Sequence, residues 1–332
     1  MKKSIGLLLI TFMLAIVVSA CGANGTNNGG NEAPAASPTP AAQESAAPAE
    51  ETELTIKHKL GETKVMKNPA KVVVFDFGVL DSLDKLGVEV TGVPQASVPA
   101  YLSKYEDAKY ENVGSLKEPD FEKLSAIDPD LIIISGRQSA AYEELTKLAP
   151  TIFLGVDTAK YMESYTENAK TLGQIFGKEA EVEAELATVN DEIKVLNDKA
   201  AASGKKALII LANEGAISAY GSASRFGIIH DVFGFAQADE KIEVSTHGQT
   251  VSFEYIAETN PDYLFVIDRD AAVGTEGGES GAKALVENAL VKNTNAFKDG
   301  NIVYLDPDYW YLSGGGLVSV SEMVKEVAEG VK

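Results

Sequence analysis

Short apolar segments alternate with amphipathic segments along this chain from about residue 53 onward. The candidate strands are KVVVF (71–75), DLIIIS (130–135), TIFLGV (151–156), KALIILA (206–212), DYLFVID (262–268) and NIVYL (301–305). They are apolar at successive positions, which is typical of parallel strands covered by helices on both faces. Alternation of such strands with helices predicts an α/β fold with parallel sheets.

One segment, residues 178–203, departs from this alternation and contains no glycine or proline. Its apolar residues recur at steps of three and four, the spacing of one helix face; they are Val182, Leu186, Val189, Ile193 and Leu196. A helix of this length exceeds what is needed to cover one sheet. We therefore expect a helix over 178–203 that connects two lobes, residues 52–177 and 204–332. The alternative is an overlong surface helix of one lobe.

Each half of the chain carries one copy of a short repeat. Residues 121–137 read FEKLSAIDPDLIIISGR, and residues 253–269 read FEYIAETNPDYLFVIDR, with five identical positions. Each copy predicts a helix, a Pro-Asp turn and a buried strand. The general sequence requirements of a helix-to-strand connection explain the turn and the apolar residues, but they do not explain the matched glutamate and the matched arginine.

The repeat predicts where those two charged residues lie. Asp120 and Ser252 suit the N-cap position, so Glu122 and Glu254 fall in the first turn of equivalent helices. The arginines that end the copies lie at the carboxyl ends of equivalent strands, where open α/β sheets bind ligands.

The chain has only three arginines, Arg137, Arg225 and Arg269, and each follows an apolar strand. A lone arginine at a strand end is more often a structural salt-bridge partner. Three of them, in loops with small neighbours, favour an anion site, because the planar guanidinium suits oxygen-rich anions. The formal net charge of -20 excludes nucleic acid as a partner but not a small anion held by local groups.

Aromatic residues and one histidine are further candidates for the site. Tyr309, Trp310 and Tyr311 follow the last strand and suit stacking on a flat ligand or packing between lobes. His247 lies in the polar loop STHGQT, where it is either a metal ligand or a solvated side chain.

The N-terminus predicts export. Lys2 and Lys3 precede a short apolar run, which is typical of a signal peptide over residues 1–20. The single cysteine, Cys21, follows small residues as in a bacterial lipobox, so we expect it to be lipidated and the protein to be anchored outside the cytoplasm. Residues 21–51 are rich in Gly, Asn, Ala, Pro and Ser and predict a disordered tether.

Catalytic signatures are missing from the sequence: it has no Gly-x-Ser-x-Gly, His-Glu-x-x-His or P-loop motif. We therefore expect a binding protein and not an enzyme. The alternative in another class is a cell-surface hydrolase that uses His247 with Glu243 and Asp239, and a third is a structural surface lipoprotein.

Three stretches carry a resemblance to a known family: NVGSLKEPDFEKLSAIDPDLIIISGRQ, YGSASRFGIIHDVFGF and DYWYLSGGG. From about residue 52 to its end, the chain resembles the class III solute-binding proteins of bacterial ABC importers. Within this family it resembles the siderophore-binding lipoproteins of the petrobactin and enterobactin type. The resemblance implies two Rossmann-like lobes joined by one long helix, with a ferric siderophore held between them.

The resemblance also implies roles for individual residues. Arg137, Arg225 and Arg269 would form the basic cluster that receives a catecholate–iron anion. Glu122 and Glu254 would dock on arginines of the permease. His247 and Tyr309 would complete the iron coordination, with Tyr311 as the alternative tyrosine.

We expect a monomer with no permanent cofactor and with only small lobe closure. The same fold could instead bind cobalamin, haem or a hydroxamate siderophore, although three arginines favour a more anionic ligand.

Overall fold

The computed structural model describes residues 52–274 and 281–331. The predicted signal peptide, Cys21 and the tether lie outside the described residues. The described chain begins with an antiparallel hairpin, β1 (Glu53–His58) and β2 (Gly61–Met66).

The first sheet has five parallel strands in the order β5-β4-β3-β6-β7. They are β3 (Val72–Val74), β4 (Gly92–Val93), β5 (Glu111–Asn112), β6 (Leu131–Ile134) and β7 (Thr151–Phe153). The helices of this half are α1 (Phe77–Lys85), α2 (Phe121–Ile127), α3 (Tyr142–Leu145) and α4 (Tyr161–Phe176). Every residue of β3, β6 and β7 is buried, as their continuous apolar sequences predict.

A single long helix, α5 (Glu179–Ser203), follows the first half. All five residues of the predicted apolar stripe are buried. The helix packs against α4 on one side and against the last helix of the chain, α11 (Leu317–Gly330), on another. One apolar cluster therefore runs from α4 through α5 into the second half of the chain.

The second sheet has six strands in the order β11-β9-β8-β12-β13, with β10 paired to β8. They are β8 (Lys206–Asn213), β9 (Ala216–Tyr220), β10 (Ala236–Gln237), β11 (Gln249–Val251), β12 (Tyr263–Asp268) and β13 (Ile302–Leu305). The helices of this half, besides α11, are α6 (Ile228–Asp231), α7 (Phe253–Thr259), α8 (Arg269–Val273), α9 (Gly281–Val286) and α10 (Asn295–Lys298).

The predicted α/β fold class is confirmed, but the second sheet is mixed and not wholly parallel. β9 runs antiparallel to β8, and β11 runs antiparallel to β9. The cause is local: Glu214 and Gly215 both have positive φ, 51° and 78°, and close a two-residue hairpin between β8 and β9. Among the described residues, no helix combines the length and the apolar character needed to cross a bilayer.

The two copies of the repeat fold alike. Asp120 accepts a hydrogen bond from the Lys123 amide at 3.0 Å, and Ser252 accepts one from the Tyr255 amide at 3.4 Å, which confirms both predicted N-caps. The helices end at Asp128 and Asn260, each in the left-handed region, just before the prolines.

The aspartates of the Pro-Asp pairs also have one role in common. Asp130 accepts from the amide of Lys71, and Asp262 accepts from the amide of Lys206. Each carboxylate thereby ties its own strand to the start of the neighbouring one. The shared Pro-Asp turn is structural, and it delivers both copies to the same edge of their sheets.

Candidate functional site

A cavity of about 680 Å³ lies where the two halves of the chain meet. From the first half it is lined by residues that follow β3, β6 and β7, and from the second half by the loop after β9 and the turn after β13. The lining residues with polar or aromatic groups that matter below are Lys59, Asp76, Arg137, Tyr161, Arg225, Trp310 and Tyr311. The cavity therefore occupies the position where α/β sheets bind ligands.

Two of the predicted arginines converge in the wall of this cavity. An Nη2–H group of Arg137 donates to the backbone oxygen of Tyr311 at 3.0 Å, and an Nη2–H group of Arg225 donates to the same oxygen at 2.6 Å. The Tyr311 ring also lies against Arg225, whose guanidinium carbon is 4.1 Å from the ring centroid. Two cations from different halves of the chain thus share one neutral acceptor.

Neither arginine has a carboxylate within 4.0 Å among the described residues. Burial lowers the pKa of Arg225, and the neighbouring charge of Arg137 lowers it further. Burial and the repulsion between the two cations both disfavour the charged form of Arg225 here. An anion in the cavity would relieve this repulsion, so the arrangement is suited to binding one.

The third arginine, Arg269, lies behind Tyr311 and is not part of the cavity lining. Its Nε–H donates to the Tyr311 hydroxyl at 3.2 Å, and an Nη1–H donates to the side-chain oxygen of Asn213 at 2.5 Å. The same nitrogen is 3.8 Å from a carboxylate oxygen of Glu214 and 3.7 Å from one of Asp270. The three arginines thus meet around one tyrosine, but Arg269 already has acidic partners.

Tyr311 is the residue that connects them. Burial alone would raise the pKa of its hydroxyl, but the charge of Arg225 and hydrogen bonds from Arg269 and Arg225 outweigh burial, and the pKa is lowered. Tyr311 lies in a π-helical turn, Asp308–Leu312, and such turns are frequent at functional sites. The periodicity of the sequence contains no sign of this turn.

The structure places His247 and Tyr309 outside the cavity lining. His247 is exposed in the loop before β11, although its neighbours Ser245 and Thr246 line the cavity. Tyr309 packs on Tyr101 with ring centroids 4.8 Å apart. Among the described residues, no group of three or more His, Cys, Asp or Glu side chains is arranged to hold a metal ion.

The repeat glutamates are exposed near the starts of α2 and α7, as predicted. The pKa of Glu254 is lowered by hydrogen bonds from its own amide and from Ser252, so it is ionised at neutral pH.

Sequence reasoning missed Asp76, Lys59 and Tyr161 as lining residues. Asp76 could have been found, because it follows the predicted strand KVVVF just as Arg137 follows DLIIIS. An acidic residue, however, does not fit the pattern of basic residues at strand ends that predicts an anion site. Lys59 and Tyr161 carry no comparable signal, since tertiary packing brings them to the cavity.

The two sheets, the long helix and the cavity between the halves define a class of ligand-binding protein. A family comparison agrees with this architecture: residues 72–309 match the periplasmic binding protein family. This chain belongs to that family.

Similarity to individual proteins is more specific than the family match. The petrobactin-binding protein YclQ of Bacillus subtilis (strain 168) is 52% identical over 99% of this chain and 99% of its own. The ferric-anguibactin-binding protein FatB of Vibrio anguillarum is 32% identical over 84% of this chain and 88% of its own.

Solved structures show the same fold. The crystal structure of YclQ has a TM-score of 0.82 at 57% identity, covering 85% of this chain and 99% of that one. The periplasmic catecholate-siderophore binding protein VctP of Vibrio cholerae has a TM-score of 0.80 at 38% identity, covering 84% and 100%.

Proposed function

We propose that this protein is an extracytoplasmic receptor that binds a ferric siderophore in the cavity and delivers it to an ABC permease. The observation that carries the proposal is the pair Arg137 and Arg225, two guanidinium groups in one cavity that have no acidic partner in the part of the chain that the structure describes. A ferric catecholate is an anion whose charge such a pair would neutralise. The family match and the relatives named above support the same function.

A petrobactin-like ligand is the finer proposal, supported by the 52% identity to a petrobactin-binding protein over nearly the whole chain. Cobalamin, haem and hydroxamate siderophores carry less negative charge, so the arginine pair favours them less. The protein holds its ligand without turning it over, and the two lobes, residues 52–177 and 204–332, bind it between them while the helix over 178–203 limits their movement.

A fluorescence titration tests the ligand class. The chain has a single tryptophan, Trp310, and it lines the cavity, so its quenching reports binding there. We expect ferric petrobactin and ferric enterobactin to quench Trp310 at lower concentrations than a ferric hydroxamate. Equal or tighter binding of the hydroxamate would contradict the proposed ligand class.

Arginine variants test the site. Loss of one charge–charge interaction at about 5 Å is worth roughly 3 kcal/mol at an effective dielectric of 20. We therefore expect Arg137→Ala and Arg225→Ala each to weaken ferric catecholate binding at least about tenfold, without unfolding the protein. Arg269→Ala should weaken binding less, because Arg269 acts through Tyr311 and already has acidic neighbours. Lys292→Ala, at an exposed position on the second half, is the control for loss of one positive charge.

The repeat glutamates are proposed to dock the receptor on the permease. Glu122 and Glu254 are exposed at equivalent helix starts, one in each half. The double variant Glu122→Ala with Glu254→Ala should bind the ferric siderophore normally and lose uptake of radioactive iron into cells. Normal uptake by this variant would exclude the docking role.

Cys21 is proposed to carry the lipid that anchors a monomeric receptor to the cell membrane. The variant Cys21→Ser should move the protein from the membrane fraction to the medium or the soluble extract.

His247 and Tyr309 are proposed to reach the iron only if the loops that carry them move on ligand binding. His247→Ala should then change the visible absorption band of the bound ferric complex.

A further inference from the structure

A carboxylate, that of Asp76, lies in the same cavity as Arg137 and Arg225. Asp76 follows β3 and caps α1: its Oδ1 accepts a hydrogen bond from the Val79 amide at 3.0 Å. Its Oδ2 accepts no hydrogen bond from the described residues, and no charged nitrogen of a described lysine or arginine lies within 4.0 Å of the carboxylate. Lys59 also lines the cavity, but it forms no ion pair with Asp76.

A buried hydroxyl without a partner lies in the same wall. Tyr161 is 7% exposed, and its hydroxyl has no hydrogen-bond partner in the described part of the chain. Burial raises the pKa of this hydroxyl, and the charges of Asp76 and then Asp81 raise it further, so the group remains a neutral donor and acceptor. Gly314, another lining residue, is so close that a Cβ there would be 3.7 Å from the hydroxyl oxygen.

These groups line the cavity with side chains of both charge signs. Within residues 52–274 and 281–331, Arg137 and Arg225 have no acidic partner, Asp76 has no basic partner, and the three side chains are not paired with one another. Unpaired charges and hydroxyl groups are costly to bury, so a ligand that fills the cavity should satisfy both signs. A ligand that carries only negative charge would leave the carboxylate of Asp76 desolvated and repelled.

We propose that Asp76, supported by the Tyr161 hydroxyl, forms a second subsite that binds a protonated amine of the ligand. The ligand class is then an anionic ferric chelate that also carries an ammonium group on an arm or linker. This inference rests on the proposed function, and it names a selectivity within it. The ammonium group would donate to the free Oδ2 of Asp76 in a charge-assisted hydrogen bond.

A purely structural role for Asp76, as the cap of α1, is the alternative. The two roles can be separated because asparagine and serine are N-caps about as good as aspartate but have no charge. The variants Asp76→Asn and Asp76→Ser therefore keep the cap and remove the carboxylate. A matched control is Asp120→Asn, which makes the same change at the cap of α2 and outside the cavity.

The test uses two synthetic ferric catecholate chelates of equal length. One has secondary amines in its linker, and the other has ether oxygens at the same positions. Dissociation constants for the full-length protein are measured by Trp310 quenching and by calorimetry. We expect the wild-type protein to prefer the amine chelate at least about tenfold.

Asp76→Asn and Asp76→Ser should reduce this preference to below about threefold by weakening the amine chelate alone, whereas Asp120→Asn should leave it unchanged. Tyr161→Phe should weaken the amine chelate a few-fold without lowering the melting temperature. A wild-type protein without preference, or an undiminished preference in both Asp76 variants, would overturn the subsite. If neither chelate binds the wild-type protein, the proposed function fails and the subsite fails with it.

Discussion

The backbone amide of Ser319, at the start of α11, donates a hydrogen bond to the Asp81 carboxylate on α1 at 2.7 Å, across 238 positions of sequence. The Val318 amide donates to the other carboxylate oxygen at 2.9 Å, and the Leu317 amide donates to the Ser82 hydroxyl at 3.0 Å. A helix of the first half thus caps the last helix of the second half. The halves are therefore joined at a second place besides α5.

Removal of this cap should be costly, because Asp81 is fully buried. Asp81→Ala would remove the acceptor of two helix amides, those of Val318 and Ser319, whereas the Tyr101 hydroxyl would keep the Ser313 hydroxyl as its acceptor at 2.7 Å. We expect the free energy of unfolding in urea to fall by about 3 kcal/mol. Asp198→Ala, at an exposed ion pair with Lys194, is the control and should change it by less than about 0.5 kcal/mol. A similar loss in both variants would rule out a special role for the cap.

Asp81 should also make stability depend on pH. Burial raises its pKa to about 7 despite the hydrogen bonds it accepts, whereas an unfolded aspartate titrates near about 4. Between these values the folded protein binds a proton that the unfolded chain does not. The contribution of proton binding at Asp81 to the free energy of unfolding is thus fully present below about pH 4, and it is lost as the pH rises through about 7.

The measurement compares wild type with Asp81→Asn in urea titrations from pH 5 to pH 8. The wild-type free energy of unfolding minus that of the variant should decrease as the pH rises and level off above about pH 7. Glu326, whose pKa burial also raises to about 7, is present in both proteins, and its effect cancels in the difference. A pH-independent difference would show that Asp81 is ionised throughout this range.

The close approach of the two helices needs a glycine at position 316. A Cβ there would lie 2.5 Å from both carboxylate oxygens of Asp81, although the backbone φ of -90° suits any residue. We expect Gly316→Ala to lower the free energy of unfolding by about 1–3 kcal/mol through this overlap. Gly136→Ala is the matched control, since nothing lies within 4 Å of its added Cβ. Equal stability of the two variants would mean that α1 and α11 can separate freely.

Much of the site could be predicted because it depends on local rules. Arg137 and Arg269 end strands whose apolar runs are plain in the sequence, and parallel strands bring their carboxyl ends to one edge. The long helix was predictable for a similar reason, since its stripe repeats at helical spacing over many residues.

The rest of the fold and of the site depends on contacts between segments that are distant in the sequence. No local pattern shows that Arg137 and Arg225 would meet at the Tyr311 carbonyl, because that oxygen is positioned by a π-helical turn. The sequence predicts the apolar strand before Arg225, but not its antiparallel orientation, because that depends on a tight turn in which Glu214 adopts positive φ, which is uncommon for a residue other than glycine. The place of Asp76 in the cavity could not be predicted, because it depends on which side chains lie around it.

Tyr311 provides a direct probe of the arginine cluster. The cluster lowers the pKa of its hydroxyl below the ordinary value of about 10, whereas burial and nearby acids raise the pKa of Tyr309 to about 12. An absorbance titration at 295 nm should therefore lose its earliest-titrating tyrosine in Tyr311→Phe, and keep it in Tyr309→Phe. Arg225→Ala should shift that titration to higher pH, because it removes the cation that lies against the ring. If the early step survives in Tyr311→Phe, or does not move in Arg225→Ala, the arginines do not act on Tyr311 as the geometry indicates.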